Sequence, residues 1–250
     1  MQGLELYDDA DLYDLVAPPN DAVVDFIFEE ALRLGGSVLE LACGTGRIAI
    51  PLAQRGLKVT GLDLHPVMLD RARFASAAAN APVRYIESDM RHFELPEKFG
   101  LIFIAYNSLL HLHEVADIKS CFTAVSRQLT QGGQFILEIF NPNPQWLALP
   151  SGERRHVGRF NHPVLGEVTV EESLDYDRAM QINRETWYWS TLKNPDFRVR
   201  PLHLRNIFPQ ELPLLLELGG LSLVKRYGAY DRRPFDRNSA HQICLCERSK

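Results

Sequence analysis

Between residues 37 and 140 the sequence alternates short apolar runs with stretches of helical periodicity, and this alternation narrows the accessible folds more than any other feature. Ser37-Val38-Leu39-Glu40-Leu41 reads as a strand, residues 47–54 as a helix, residues 57–63 as a strand, residues 67–79 as an alanine-rich helix and residues 83–87 as a third strand. Residues 101–105 read as a fourth strand, residues 116–129 as a helix closed by Gln131-Gly132-Gly133, and residues 134–140 as a fifth strand. A helix over residues 22–34 precedes them, with Val23, Phe26, Ile27, Leu32 and Leu34 at helical spacing and Gly35-Gly36 behind it. Such alternation implies a parallel sheet with helices on both faces. Sheets of this kind bind ligands outside the carboxyl ends of their strands, where the strand order reverses.

After Asn141-Pro142-Asn143-Pro144, read as a loop, the pattern changes. Residues 155–205 alternate polar and apolar positions, as in Val168-Thr169-Val170 and Thr186-Trp187-Tyr188-Trp189, and predict antiparallel hairpins. A helix over residues 209–218 and strands at residues 221–224 and 241–246 close the chain. The expected fold is α/β: a seven-stranded, mostly parallel, doubly wound sheet with an antiparallel terminal strand, plus an inserted antiparallel β region. The expected organisation is one domain over residues 1–250. In it, residues 1–36 form a helical lid, 37–140 and 209–250 the core, and 141–208 the insertion.

The segment richest in chemistry is Val38-Leu39-Glu40-Leu41-Ala42-Cys43-Gly44-Thr45-Gly46-Arg47, a strand running through a glycine turn into a helix. Glycines let backbone approach a ligand, and a helix start offers free N–H groups. Gly44-x-Gly46-x-x-Ala49 also satisfies the dinucleotide fingerprint, so the glycines alone do not choose between cofactors. Asp63 at the end of the second strand can accept both hydroxyls of a ribose. Asp89, after the third strand, can reach an adenine amine while Met90 packs on the ring. Each carboxylate alone reads equally well as a solvated loop residue. Both at strand ends, in register with the glycine turn, do not.

These residues carry a family resemblance. Glu40-Leu41-Ala42-Cys43-Gly44-Thr45-Gly46 resembles the first motif of class I (Rossmann-like) S-adenosylmethionine (SAM)-dependent methyltransferases. Gly61-Leu62-Asp63-Leu64-His65-Pro66-Val67-Met68-Leu69 resembles their second motif and Ser88-Asp89-Met90 the third. Ala105-Tyr106-Asn107-Ser108-Leu109-Leu110-His111 resembles the segment after their fourth strand. The resemblance covers residues 37–140 and implies SAM as cofactor and a small molecule as acceptor. It implies that Glu40 orients the turn and meets the methionine amine through water, that Ala42, Gly44, Thr45 and Gly46 line the methionine portion, and that Asp63 holds the ribose. Leu64, Met68, Asp89 and Met90 then form the adenine pocket, with Tyr106 beside the cofactor. The stretch from Tyr7 to Asp14 resembles an N-terminal lid in which Tyr13 closes on the cofactor and Tyr7 on the substrate; an acidic surface helix with packed tyrosines is the plainer alternative.

Methyl transfer from a sulfonium needs an aligned nucleophile and a dry site. His111 is the expected general base, with Asn107, Trp189 and Arg205 as expected substrate contacts; a structural histidine and core aromatics are the competing readings. His113, Tyr106 and Arg205 are weaker catalytic candidates, and Trp187, Tyr188 and Phe197 are further candidates for the pocket wall.

Composition sets outer bounds. A formal charge of −5 argues against a dedicated nucleic-acid binder. Residues 198–250 nevertheless hold ten Lys/Arg against five Asp/Glu, either a solvated surface or a mouth for an anionic substrate. The acidic start, Met1-Gln2-Gly3-Leu4-Glu5, lacks a signal-peptide core, and no apolar run spans a membrane; a cytoplasmic monomer or homodimer is expected. Cys43, Cys121, Cys244 and Cys246 form no disulfide framework, and no metal is expected at His241, Cys244 and Cys246. The rival functions are an NAD-dependent oxidoreductase, a catalytically silent SAM-binding partner, and a methyltransferase of protein or RNA. The first explains the glycines and Asp63 but not Glu40 or Asp89-Met90. The last calls for a broad basic or extended groove.

Overall fold

The computed structural model describes residues 3–18 and 20–249; Met1 and Gln2, at the head of the acidic start, lie outside the described residues. A 3-10 turn Glu5–Asp8 opens the chain, followed by helices α1 (Ala10–Val16) and α2 (Asp21–Leu34). Strands and helices then alternate: β1 (Val38–Leu41), α3 (Ala49–Gln54), β2 (Val59–Asp63), α4 (Pro66–Ala78), β3 (Val83–Glu87), β4 (Phe99–Ile104), a 3-10 turn Ser108–His111, α5 (Val115–Gln128) and β5 (Leu129–Phe140). After α6 (Pro144–Leu147) come four long strands, β6 (Arg154–His162), β7 (Gly166–Asp177), β8 (Ile182–Ser190) and β9 (Arg198–Arg205), and then α7 (Leu212–Leu218), β10 (Leu221–Tyr227) and β11 (His241–Arg248). The chain divides into two compact units.

The larger unit holds residues 19–109, 114–141 and 208–250. Its seven strands lie in the order β10-β11-β5-β4-β1-β2-β3. All neighbouring pairs from β5 to β3 are parallel, and β11 runs antiparallel to both β5 and β10. The strand that is terminal in sequence therefore sits inside the sheet, and β10 forms the edge. Central β1 and β4 are buried at every position, which is why they read as unbroken apolar runs rather than alternating ones. Helix α2 starts where Asn20 Oδ1 accepts from the Ala22 N–H (3.0 Å) and stops at Gly35, with φ +69°; it buries Val23, Val24, Phe26, Ile27 and Ala31 into the core. Strand order reverses between β1 and β4: from β1 the chain proceeds outward through β2 and β3, then returns to β4 on the other side.

Boundaries differ from the sequence expectations for local reasons. Helix α3 begins at Ala49, not Arg47, because Gly46 has φ +84° and the chain is still turning. Helix α5 ends at Gln128, since Leu129 is already extended (φ −72°, ψ 140°) and begins β5 ahead of the glycine pair. Residues 209–211 form a turn before α7. The Asn-Pro loop ends as a helix start, where Asn143 Oδ1 accepts from the Gln145 N–H (2.9 Å) ahead of α6.

The smaller unit holds residues 1–18, 110–113 and 142–207. Its sheet is an antiparallel meander in the order β6-β7-β8-β9. Side chains alternate faces along these strands. Val168, Val170, Leu174, Asn183, Glu185, Trp189, Leu202 and Leu204 share one parity by register and are all buried. Leu6, Ala10 and Leu12 are buried from the N-terminal segment, where Asp9 caps α1 by accepting from the Leu12 N–H (3.2 Å). Among the described residues, no helix is long and apolar enough to cross a membrane, and no group of three potential metal ligands is gathered. The four cysteines are buried free thiols.

Candidate functional site

In the larger unit, the carboxyl ends of β1 and β4 carry unusual backbone. Ala42 (φ +55°) follows β1, and Tyr106 (φ +53°) and Asn107 (φ +65°) follow β4. Left-handed conformations at non-glycine residues cost energy and cluster where a site demands a fixed shape. Between these turns runs Cys43-Gly44-Thr45-Gly46. Gly44 (φ +54°) and Gly46 (φ +84°) accept this path without a Cβ penalty. At Gly46 there is also no room: an added Cβ would lie 2.6 Å from the Tyr85 hydroxyl.

Asp63 at the end of β2 ties the turn together. Its Oδ2 accepts from the Gly44 N–H (2.7 Å) and its Oδ1 from the His65 N–H (2.9 Å). Burial pushes this carboxyl above the ordinary aspartate value, and the His65 and Gly44 N–H groups pull it back. Glu40 on β1 is 4% exposed, and burial holds its carboxyl well above the ordinary value against the opposing charge of Arg47 and an N–H bond from Ala49. Its Oε2 is walled off from solvent and has no hydrogen-bond partner among the described residues. Met68 is buried on α4, with its Cε 3.5 Å from where a Gly44 Cβ would stand. Leu64 is exposed beside it, Thr45 is buried, and Met90 is buried after β3.

Asp89 lies at the end expected for it, but its carboxylate is gripped by Arg91, whose Nη2 donates to Oδ2 (2.6 Å) and whose Nε and backbone N–H donate to Oδ1. Burial raises this carboxyl, Arg91 outweighs that, and the net is a value below the ordinary one. Asn107 Oδ1 accepts from the Phe140 N–H (2.6 Å), so the residue joins the ends of β4 and β5. Two further groups, outside every sequence motif, join the site. Glu138, buried inside the apolar run of β5, accepts from the Tyr106 N–H through Oε2 and bonds His241 Nδ1 through Oε1 (2.8 Å). The Arg47 guanidinium stacks 3.3 Å from the centroid of the Tyr106 ring. A charged residue in an otherwise apolar strand was the available signal for Glu138; nothing local marked Arg47.

In the smaller unit, the Tyr7 hydroxyl lies 2.8 Å from His111 Nε2, their rings meeting edge to face at 5.4 Å. Tyr13 stands 5.5 Å from Tyr7. Arg205 is buried, and its Nη1 donates to the His113 carbonyl (2.9 Å). Trp189 is wholly buried. Tyr188 points from the opposite strand face, under the Arg154 guanidinium at 3.6 Å.

A reversal point between β1 and β4, a glycine turn leaving β1, carboxylates at the ends of β2 and β3, and an antiparallel β11 define a Rossmann-like methyltransferase fold. The larger unit's sequence agrees: residues 38–133 match the family described as Methyltransferase domain. That match, together with the neighbouring structures, supports a SAM-dependent methyltransferase whose cofactor is S-adenosylmethionine. The CcbJ methyltransferase structure from Streptomyces caelestis superimposes with a TM-score of 0.81 at 27% identity, covering 98% of this chain and 96% of that one. The structure of SAM-bound CalS10, an amino pentose methyltransferase from Micromonospora echinaspora, shares the fold at a TM-score of 0.69 and 21% identity, over 92% of this chain and 90% of that one. The ubiquinone biosynthesis O-methyltransferase of Pseudomonas paraeruginosa is 33% identical over 128 residues, which are 50% of this chain and 53% of that protein. The chain spans about half the length of the curated relatives it matches.

Proposed function

We propose that this chain transfers the methyl group of SAM to a nitrogen or oxygen of a small molecule by in-line displacement, releasing S-adenosylhomocysteine. The observation that carries the reading is the Asp63 carboxylate at the end of β2, held against the glycine turn of β1 by the Gly44 and His65 N–H groups with lone pairs to spare. When bound, the cofactor supplies a methyl carbon already made electrophilic by its sulfonium. The residues present fit it. Asp63 accepts from the ribose hydroxyls, and the unpartnered Glu40 Oε2 offers an acceptor for the methionine amine or a water that carries it. Ala42, Gly44, Thr45 and Gly46 let the backbone approach the methionine portion. Leu64, Met68 and Met90 supply the apolar surface for adenine, with Asp89 at its edge and Tyr106 fixed by Arg47. His111 removes the acceptor's proton, and the Tyr7 hydroxyl orients its ring. The acceptor is read as small because the neighbouring structures include an amino pentose methyltransferase and a matched relative is an O-methyltransferase of ubiquinone biosynthesis.

Calorimetric titration with SAM, S-adenosylhomocysteine and NAD tests the first half: the two sulfur ligands bind and NAD does not, and binding of NAD alone overturns the reading. His111→Ala tests the second half. Turnover falls by about a hundredfold or more while SAM affinity is kept; unchanged turnover removes His111 from the reaction.

A further inference from the structure

In the larger unit a groove of about 880 Å³ opens between helix α5 and the segment that leads from β3 to β4. None of its lining residues has a part in the reading above. On α5 the lining runs from Ala116 to Gln128 at intervals of three and four residues, a single stripe of the helix about 18 Å long. The facing segment is held in place. The Gln128 carboxamide, oriented so that both of its atoms are satisfied, donates to the Glu97 carbonyl (2.8 Å) and accepts from the Leu95 N–H (3.1 Å). From β3, Arg84 pairs with the Glu97 carboxylate at 2.7 Å. Phe93 and Ala124 are buried and give the groove an apolar floor.

Charge around the groove is one-sided. Arg91, Lys98, Lys119, Arg127 and Arg248 line it against a single carboxylate, Glu94, in a chain whose formal charge is −5. Arg91 is neutralised by Asp89 at 2.6 Å and Asp117 at 3.1 Å. The other four cations are not. Arg248 donates to the Leu129 and Thr130 carbonyls (2.7 and 3.1 Å), which fix its guanidinium without compensating its charge. Among the described residues, Lys98, Lys119 and Arg127 form no ion pair. Like charges gathered around a concave surface raise the local potential and draw an anion. Their layout selects its shape. A phosphate is held by donors that converge, as at a helix start. Here the cation beside the start of α5 is Arg91, already taken by two carboxylates, and the uncompensated ones are strung along the helix. Lys119 and Arg127 are eight residues apart, about 12 Å along the axis. An extended peptide places every second side chain on one face, so side chains four residues apart span about 13 Å.

We propose that the α5 groove docks an extended acidic segment of a partner protein. Carboxylates at alternate positions of that segment meet Lys119 and Arg127, and its small or apolar side chains lie on Phe93 and Ala124. Lys98 and Arg248 add charge where α5 ends and Phe99 pairs with Leu129. The proposal stands apart from the methyl-transfer reading and adds a protein partner to it.

The test uses the full chain at low ionic strength and the fluorescence anisotropy of a labelled hexapeptide that alternates glutamate and alanine. Its glutamine counterpart, a labelled hexathymidylate and inorganic triphosphate are the comparisons. The glutamate peptide binds at least about tenfold tighter than the glutamine one. Lys119→Ser and Arg127→Ser each weaken it by about two- to fivefold and together by about tenfold. Lys193→Ser, which removes an exposed charge from the β8–β9 connection of the smaller unit, leaves it unchanged. Thermal melts confirm that the surface variants fold. Equal binding or no binding of the two peptides, tighter binding of the oligonucleotide, or displacement by triphosphate at lower concentration than by unlabelled peptide overturns the proposal. So does a loss in the groove variants no greater than in Lys193→Ser. Sedimentation of the protein alone tests the remaining occupant: self-association that Lys119→Ser abolishes gives the groove to a second copy and overturns the partner.

Discussion

Replacing Gly46 with alanine separates the two reasons the turn needs glycine. The first is conformational: Gly46 has φ +84°, and a Cβ in left-handed backbone costs about 1–2 kcal/mol. The second is space: the new Cβ would lie 2.6 Å from the Tyr85 hydroxyl and 3.1 Å from Ile50 Cδ1. The Tyr85 hydroxyl is held by Ser76 Oγ at 2.7 Å, so the ring yields only by giving up that bond, about 0.5–1.5 kcal/mol. Together the substitution destabilises by about 1.5–3.5 kcal/mol. For a chain of this size that lowers the thermal midpoint by about 3–14 °C. Tyr85→Phe removes the obstructing oxygen. In that background Gly46→Ala costs the conformational part and the Ile50 contact but not the lost hydroxyl bond, so the double-mutant cycle shows a coupling of about 1 kcal/mol. Urea unfolding of the four proteins measures it, and titration with S-adenosylhomocysteine shows weakened binding in Gly46→Ala. Strict additivity would refute the steric half of the argument. Wild-type stability and wild-type affinity in Gly46→Ala would refute both halves and free the turn from its place in the site.

The remaining predictions concern the carboxylates that fix the strand ends. Asp63→Ala removes the acceptor shared by the Gly44 and His65 N–H groups as well as the proposed ribose contact, and weakens SAM by about 10- to 100-fold in calorimetry; unchanged affinity sinks the ribose assignment. His241 is raised above the ordinary histidine value by its bond to Glu138. A raised folded value means the pair's stabilisation is complete below the unfolded value of about 6.5 and is lost as pH climbs through the folded one. The stability gap between wild type and His241→Gln in urea therefore narrows from acid to alkaline pH, and a gap independent of pH rules out the charged pair.

How much of this was legible in the sequence depends on the distance between partners. Glu40, Gly44, Gly46 and Asp63 lie within one strand–turn–helix–strand unit, so their spacing alone placed them at one sheet edge. Glu138 was not legible in the same way. A lone carboxylate within Phe135-Ile136-Leu137-Glu138-Ile139 looks the same whether it is solvated or buried, and what makes it structural is the N–H of Tyr106 and the ring of His241, 32 and 103 residues away. Nor could Asn107 be placed. Its position after the fourth strand suggests a substrate contact and gives no sign that its carboxamide oxygen engages the Phe140 N–H, a partner set by how β4 and β5 pair.

The inserted sheet shows where the limit falls. Alternation along β8 already puts Glu185, Trp187 and Trp189 on one face and Tyr188 on the other, since side chains reverse at every residue. Alternation along β7 does the same for Val170, Glu172 and Leu174. Parity within each strand says nothing about which faces coincide, because a slip of one residue in pairing moves a whole strand's set to the other side. Only the register, with Glu172 opposite Trp187, Arg155 opposite Glu172, and Arg200 and Arg198 opposite the two indoles, gathers these separate patterns into one charged, aromatic face. A sequence can thus nominate every member of such a cluster and still leave its charge balance undetermined.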